Sequence, residues 1–99
     1  MLLQMVEEHP AEAFVRYGLA LEYANQGRNG EALEQFAKLL EQNPAYTAGY
    51  QMSAQLLLRL GRLEEAKQHL EKGIAAARAE GNAKAEGEMQ QMLEEAGEF

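Results

Sequence analysis

The side chains of this chain that could do chemistry are few and widely separated. There is no Cys, which excludes thiol nucleophiles, thiolate metal ligands and disulfides. His9 and His69 are the two histidines, and neither has a partner at the spacing of metal ligands. His9 precedes Pro10 in a predicted loop, and His69 lies among polar residues. Both are therefore predicted to be surface histidines, and no metal site is expected.

Hydroxyl and carboxylate chemistry is equally poorly supported. Besides the tyrosines, Ser53 and Thr47 are the hydroxyl nucleophile candidates, and no His or Asp is spaced along the chain to activate either. The pairs Glu64-Glu65 and Glu94-Glu95 are predicted to lie on solvated helix faces or to interact with helix dipoles. The sequence thus predicts no catalytic residue and no cofactor, so an enzyme is the least favoured class.

The charge pattern also excludes several partners. The formal charge of −7 comes from Glu alone, and the nine Lys and Arg are scattered rather than gathered in a basic stripe. Phosphate-backbone binding needs such a stripe, so nucleic acid and anionic membranes are disfavoured. No apolar run approaches the roughly twenty residues that span a bilayer. The first residues lack the basic start of a secretory signal, which makes the cytoplasm the expected location.

The elements that would position these residues are helices. The chain is rich in Ala, Leu, Glu and Gln and poor in the β-branched residues that strands prefer. Ninety-nine residues suit one domain, 1–99. We predict helices at 2–8, 11–26, 30–42, 46–60, 63–79 and 83–96. The last one gathers its apolar residues on one face, namely Ala85, Met89, Met92, Leu93 and Ala96.

Glycines and prolines mark the predicted helix ends. Gly27 and Gly61 stand where a left-handed residue would end a helix, while Pro10 and Pro44 are expected to close the intervening ones. Asn29 is preferred over Arg28 as the cap of the helix that follows, because an amide oxygen can accept from a free N–H. Gly81 and Asn82 are predicted to break one helix and cap the next.

The sequence also repeats itself with a period of 34 residues. Sliding 10–43 onto 44–77 matches Pro10 with Pro44, Ala11 with Ala45, Ala20 with Ala54, Gly27 with Gly61, Arg28 with Arg62, Glu31 with Glu65, Ala32 with Ala66 and Lys38 with Lys72. A fixed period of this length indicates a helical repeat protein. The same offset places 1–9 over the second half of a repeat. We therefore expect a half-repeat at 1–9, repeats at 10–43 and 44–79, and a polar capping helix at 82–97.

These spacings resemble the tetratricopeptide repeat family. The first unit has the family's small, aromatic, turn and closing residues at Leu19, Ala20, Tyr23, Gly27, Ala32, Phe36 and Pro44. The second has Tyr50, Ala54, Leu57, Gly61, Ala66, Leu70 and Gly73. Arg16, Leu39 and Arg78 depart from the pattern. The resemblance implies an all-α, right-handed α-solenoid of antiparallel helix hairpins, whose first helices line a concave groove.

The resemblance also implies which residues face that groove. They are Phe14, Tyr17, Leu21 and Asn25 from the first unit, Gln51, Gln55 and Arg59 from the second, and Glu86 and Gln90 from the last helix. Phe14, Tyr17 and Leu21 share a helix face distinct from the predicted core face of Leu19, Ala20 and Tyr23. The N-terminal half-helix, a bound peptide or helix, or a second copy could cover this apolar face.

The polar members of the set could bond a peptide backbone or could simply be solvated surface. A clamp for a terminal carboxylate, known in the family, is disfavoured, because its positions hold Tyr17, Leu21 and Gln55, and the last helix offers Glu. The sequence predicts a protein-protein interaction module without catalysis, whose partner is another protein or peptide. The alternative is self-association, as a homodimer or end to end, through the apolar residues Leu2, Met5 and Val6.

Overall fold

Five helices make up the part of the chain that the structure, a computed structural model, describes, residues 10–97. They are α1 (Pro10–Asn25), α2 (Asn29–Gln42), α3 (Thr47–Arg59), α4 (Leu63–Glu80) and α5 (Ala83–Ala96). No strand occurs between residues 10 and 97, which confirms the all-α prediction. The half-repeat helix predicted at 2–8 lies outside the described residues.

The helices form two compact units. The first contains α1 and α2, and the second contains α3, α4 and α5. Turns of two or three residues join α1 to α2, α3 to α4 and α4 to α5. Connections this short make consecutive helices antiparallel neighbours. Each unit is thus built on one helix hairpin, and the second unit adds a further helix.

The turns within the hairpins form as predicted, because a glycine reverses the chain at each. Gly27 has φ +77° and Gly61 has φ +78°, a left-handed conformation that costs other residues free energy. The amide of the next residue then donates back into the helix, from Arg28 to the Tyr23 carbonyl at 2.9 Å and from Arg62 to the Leu57 carbonyl at 2.9 Å. These bonds satisfy carbonyls in the last turn of each helix, where the regular i+4 donors run out.

The predicted helix starts were correct at Asn82 and wrong at Asn29. The Asn82 side chain accepts a hydrogen bond from the Ala85 amide at 3.0 Å and caps α5. Asn29, by contrast, is already inside α2, and Arg28 occupies the cap position. The glycine turn fixes this register, since the Arg28 carbonyl accepts the first helical bond from Ala32. The Arg28 side chain instead binds Glu31 at 2.5 Å.

One sequence expectation about α1 was wrong, and another concerns residues outside the described range. Pro10 is the first residue of α1, where its missing N–H has no helical role, and the segment that it was expected to close precedes the described residues. Leu19, predicted as core, has 40% of its side chain exposed, and Tyr23 is only half-buried. The residues that α1 buries are Ala13 and Ala20. The core face of α1 is therefore narrower and made of smaller residues than the pattern indicated.

The core of the second unit joins all three of its helices. It consists of Ala54 from α3, Leu70, Ile74 and Ala77 from α4, and Ala85 and Met89 from α5. Met92 and Leu93 pack against this cluster and are partly buried. The predicted apolar face of α5 is confirmed, because Ala85, Met89 and Ala96 are buried.

Gly73 allows the closest approach within this core. A Cβ atom built on Gly73 would lie 2.5 Å from the Met89 Sδ and 2.7 Å from the Tyr50 Cβ. The thioether of Met89 could swing away, but the Tyr50 Cβ is fixed to its backbone. Only a residue without a side chain fits here, so α4 meets both α3 and α5 at this position.

A buried polar contact also links α3 and α4, and it overturns the prediction that His69 is a surface residue. The Ser53 Oγ lies 2.6 Å from the His69 Nδ1 and donates to the Tyr50 carbonyl at 3.1 Å. The Tyr50 ring meets the imidazole edge-on, with 6.3 Å between ring centroids. Burial, and secondarily Lys72, lowers the pKa of His69, while Glu65 opposes the shift. The neutral imidazole is therefore the form that this packing favours.

We expect Gly73→Ala to destabilise the protein and Gly87→Ala to stabilise it. Both glycines lie inside helices, so alanine gains up to about 1 kcal/mol of helix propensity at either. At Gly73 the clash with Tyr50 outweighs this gain, at about 1–3 kcal/mol. At Gly87 a new Cβ meets nothing within 4 Å. Thermal and urea denaturation followed by circular dichroism measure both, and equal stabilities would contradict the predicted close packing at Gly73.

We expect His69→Gln to flatten the fall in stability below neutral pH. An unfolded histidine takes up its proton near pH 6.5, whereas folded His69 does so only at lower pH. The contribution of His69 to the free energy of unfolding is thus largest above pH 6.5 and is lost as the pH drops through the folded pKa of His69. Removing His69 should reduce this slope between pH 7.5 and 5.5, by at most about 1.4 kcal/mol per pH unit. Urea titrations at several pH values give both slopes, and identical slopes would refute the role of His69.

Candidate functional site

The predicted groove residues of the first unit share one edge of α1. Phe14 is exposed, with a fractional accessibility of 67%, and Asn25 is exposed as well. Tyr17 and Leu21 are half-buried beside them. Their spacing of three, four and four residues keeps them on a single helix face. The structure therefore brings all four together as one surface, which we call the Phe14 edge.

The predicted groove residues of the second unit lie along α3 in three different environments. The Gln51 amide donates to the Glu88 carboxylate of α5 at 2.9 Å, so it joins two helices. Gln55 is exposed to solvent, and Arg59 is exposed at the end of α3. Each unit presents its own members of the predicted set. The single groove that would combine both units stays a prediction.

The last helix contributes its two predicted residues to a polar network. Glu86 forms an ion pair with Arg78 at 2.7 Å, and the side-chain amide of Gln90 donates to the same carboxylate at 3.4 Å. The Arg78 contact joins the end of α4 to the start of α5. Glu86 is thus engaged by a cation of its own chain.

An apolar cleft of about 500 Å³ opens beside Arg59. It is lined by Leu58, Arg59, Gly61, Leu63, Met92, Glu95 and Ala96, and we call it the Met92 cleft. The end of α3, the start of α4 and the end of α5 form its walls. Sequence reasoning identified Arg59 but missed the cleft, because the residues that line it come from three helices. The apolar residues near the end of α5 were the one local signal.

A second cleft, of about 360 Å³, is polar and lies at the start of α3. Its lining includes Thr47, Gln51, Glu80 and Asn82. The Thr47 hydroxyl donates to the Glu80 carboxylate, which therefore stands at the N-terminal end of α3. An incoming carboxylate would meet this negative charge at close range, so the cleft is unsuited to anions.

A third surface lies on α1, on a different face from the Phe14 edge. Val15 is 66% exposed and Leu19 is 40% exposed, and they lie one turn apart. With Glu12, Arg16 and Gln35 they line a shallow depression of about 170 Å³. The Arg16 guanidinium donates to the Gln35 side chain at 2.9 Å and bridges α1 to α2. Sequence reasoning missed this surface because it assigned Leu19 to the core.

The hydroxyl nucleophile candidates find no catalytic setting. Sequence reasoning expected no histidine near Ser53, and the structure corrects this, since His69 contacts it. The Ser53 side chain is, however, completely buried, so a substrate carbonyl cannot reach its Oγ. Thr47 is bound to Glu80. Their contacts join helices together.

Among residues 10–97 no group of three or more His or Glu side chains is arranged to hold a metal ion. Across the same residues no helix has both the length and the apolar character needed to cross a membrane.

Comparison with known proteins places this geometry in a family. The model of the tetratricopeptide repeat matches residues 23–87. A tetratricopeptide repeat-containing protein of Pseudomonas aeruginosa is 33% identical over 88 residues, which cover 89% of this chain and 84% of that protein. An uncharacterised protein of Methanocaldococcus jannaschii is 36% identical over 70 residues, 71% of this chain and 81% of that protein.

Solved structures agree with the sequence comparisons. The solution structure of a tetratricopeptide repeat domain protein from Salinibacter ruber superimposes with a TM-score of 0.81 at 34% identity, covering 85% of each chain. A protein from Bordetella parapertussis shares the fold alone, with a TM-score of 0.77 at 24% identity, covering 99% of this chain and 89% of that one. The family model, the relatives and the hairpins with their glycine turns agree, and the chain belongs to the tetratricopeptide repeat family.

Proposed function

We propose that this chain binds a peptide or helix of another protein through the Phe14 edge of α1, without catalysing a reaction. Tetratricopeptide repeat domains are generally protein-interaction modules. The observation that supports this use of the Phe14 edge is the exposure of Phe14 itself, at 67%. A large aromatic side chain left in water is a favourable anchor, because burying it against a partner removes much apolar surface from solvent.

The neighbours of Phe14 suit the same role. Tyr17 and Leu21 are half-buried, so part of each side chain is held in place while another part stays accessible. Side chains ordered before binding lose less conformational entropy when a partner arrives. Aromatic residues, moreover, contribute a large share of binding energy at protein interfaces. The Phe14 edge thus combines one exposed anchor with two partly ordered apolar supports.

Polar residues could orient the bound segment. Asn25 continues the Phe14 edge and is exposed, and its amide can both donate to and accept from a peptide backbone. Gln55 and Arg59 offer comparable groups in the second unit. Gln51 would have to exchange its bond to Glu88 for a bond to the partner. We therefore expect Asn25, Gln55 and Arg59 to contribute more than Gln51.

We expect Phe14→Ala to weaken partner binding by about thirtyfold or more, the loss typical of a central interface aromatic. The fold should survive, because most of the Phe14 side chain touches solvent rather than the core. Affinity capture from the native lysate, compared between wild type and variant, identifies proteins that depend on Phe14. Titration calorimetry with the captured partner then measures the change in affinity.

Val15→Ala is the matched control for this experiment. Val15 is the adjacent residue and is equally exposed, at 66%, but it points about 100° away around the helix. A partner of the Phe14 edge should bind the Val15→Ala protein normally and lose binding to the Phe14→Ala, Tyr17→Ala double variant. Unchanged capture by the double variant, or equal losses with both substitutions, would exclude this edge as the binding surface.

A further inference from the structure

Two apolar surfaces of this chain are each flanked by one anionic and one cationic residue, and neither belongs to the Phe14 edge. The first is the pair Val15 and Leu19 on α1, which we call the α1 ridge. The second is the Met92 cleft of the other unit. The ridge consists of two exposed aliphatic side chains that border a shallow depression, whereas the cleft is a larger apolar site of about 500 Å³. That volume falls within the roughly 300–1,000 Å³ of sites that hold a bound group.

The internal repeat shows that the α1 ridge lies on a helix face whose equivalent in the second repeat is buried. The 34-residue offset places Val15 on Gly49 and Leu19 on Ser53. Gly49 and Ser53 are both buried in α3. The same face of the same helix is therefore covered in the second repeat and open in the first, although the first carries the larger apolar side chains. Exposed aliphatic residues at a position that is otherwise covered indicate a contact surface.

Charged residues flank both surfaces in matching pairs. Glu12 and Arg16 lie one helical turn apart beside the α1 ridge, and both line the same depression as Val15 and Leu19. Arg59 and Glu95 line the Met92 cleft. Arg16 and Glu95 are hydrogen-bonded to the neutral amides of Gln35 and Gln91, so their charges are not neutralised by these contacts. One anion and one cation on each surface can form two opposite-charge contacts, for which Glu12 would exchange or share the contact that it already makes within its own chain.

We propose that the α1 ridge of one copy of this chain inserts into the Met92 cleft of a second copy. Val15 and Leu19 enter the cleft beside Leu63 and Met92. Glu12 then faces Arg59 of the second copy, and Arg16 faces its Glu95. Ridge and cleft share no residue, so the contact is heterologous, with different surfaces from the two molecules. This self-association stands independently of partner binding at the Phe14 edge.

The contact is small, so the association is expected to be weak and to depend on concentration. Interfaces well below about 1,200 Å² belong to transient complexes. Sedimentation velocity of the full chain, over concentrations from the order of 10 µM to 1 mM, should show a weight-average mass that rises with concentration. A monomer at every concentration would overturn the proposal and would leave the ridge to residues 1–9 or to another protein.

Two blocked variants give a sharper test. Val15→Glu places a charge on the ridge, and Met92→Glu places one in the cleft. Each protein alone should lose at least tenfold in association, because it retains only one usable surface. An equimolar mixture should recover a complex of two molecules and no larger species, since one protein supplies an intact cleft and the other an intact ridge. A mixture that stays monomeric, or single variants that still associate like wild type, would refute the contact.

Control substitutions separate this contact from general effects of added charge. Phe14→Glu matches Val15→Glu in exposure and in added charge. Gln90→Glu is the corresponding control on α5, because it adds one negative charge at an exposed position outside the cleft. Both should associate like wild type. Because Met92 is partly buried, Arg59→Glu on the exposed rim provides a second cleft variant whose folding is not at risk. Arg59→Glu should weaken association, and mixing this variant with the Glu12→Arg protein should restore association. Failure of that charge exchange would contradict the assigned pairing.

Discussion

Close approach of helix backbones at residues with little or no side chain is the constraint on which this structure depends. Ala20, Ala32, Ala54 and Ala66 are completely buried, and each recurs at the same place in the two repeats. Gly73 extends the rule to its limit, because even a methyl group there would strike the Tyr50 Cβ. Helices that meet over such residues can pack at short interaxial distances, which leaves the larger side chains to fill the space at either side.

Short glycine turns follow from this close packing. Two antiparallel helices in near contact can be joined by few residues only if the chain reverses abruptly, and left-handed Gly27 and Gly61 provide that reversal. The turn also fixes the next helix in rotation, since it places Arg28 and Arg62 at the cap and so decides which face points inward. On α1, whose buried residues are Ala13 and Ala20, the Phe14 edge and the α1 ridge remain wholly or partly accessible.

The sequence was sufficient for features that depend on local chemistry. The bounds and apolar face of α5, the glycine turns and the Asn82 cap could all be predicted, because each follows from residues within one or two helical turns. It was insufficient where a distant residue decided the outcome. His69 lies in a polar run, yet its ring is held against Ser53, sixteen residues earlier in the chain. Leu19 matches a core pattern but remains exposed, because periodicity identifies a face without identifying its neighbour.

The pair Leu19 and Ser53 shows how an exposed position can carry functional meaning. These residues are equivalent by repeat, but the apolar one is in water and the polar one is completely buried. Burial of Ser53 is tolerated because its hydroxyl has partners in the Tyr50 carbonyl and His69. The exposure of Leu19 has no comparable compensating contact within the described residues, because leaving an aliphatic side chain in water is unfavourable. If burial alone governed the choice of residue, the two would be exchanged. Their present arrangement is explained when the face of α1 around Leu19 meets the surface of another molecule, whereas the equivalent face of α3 is already buried within the chain.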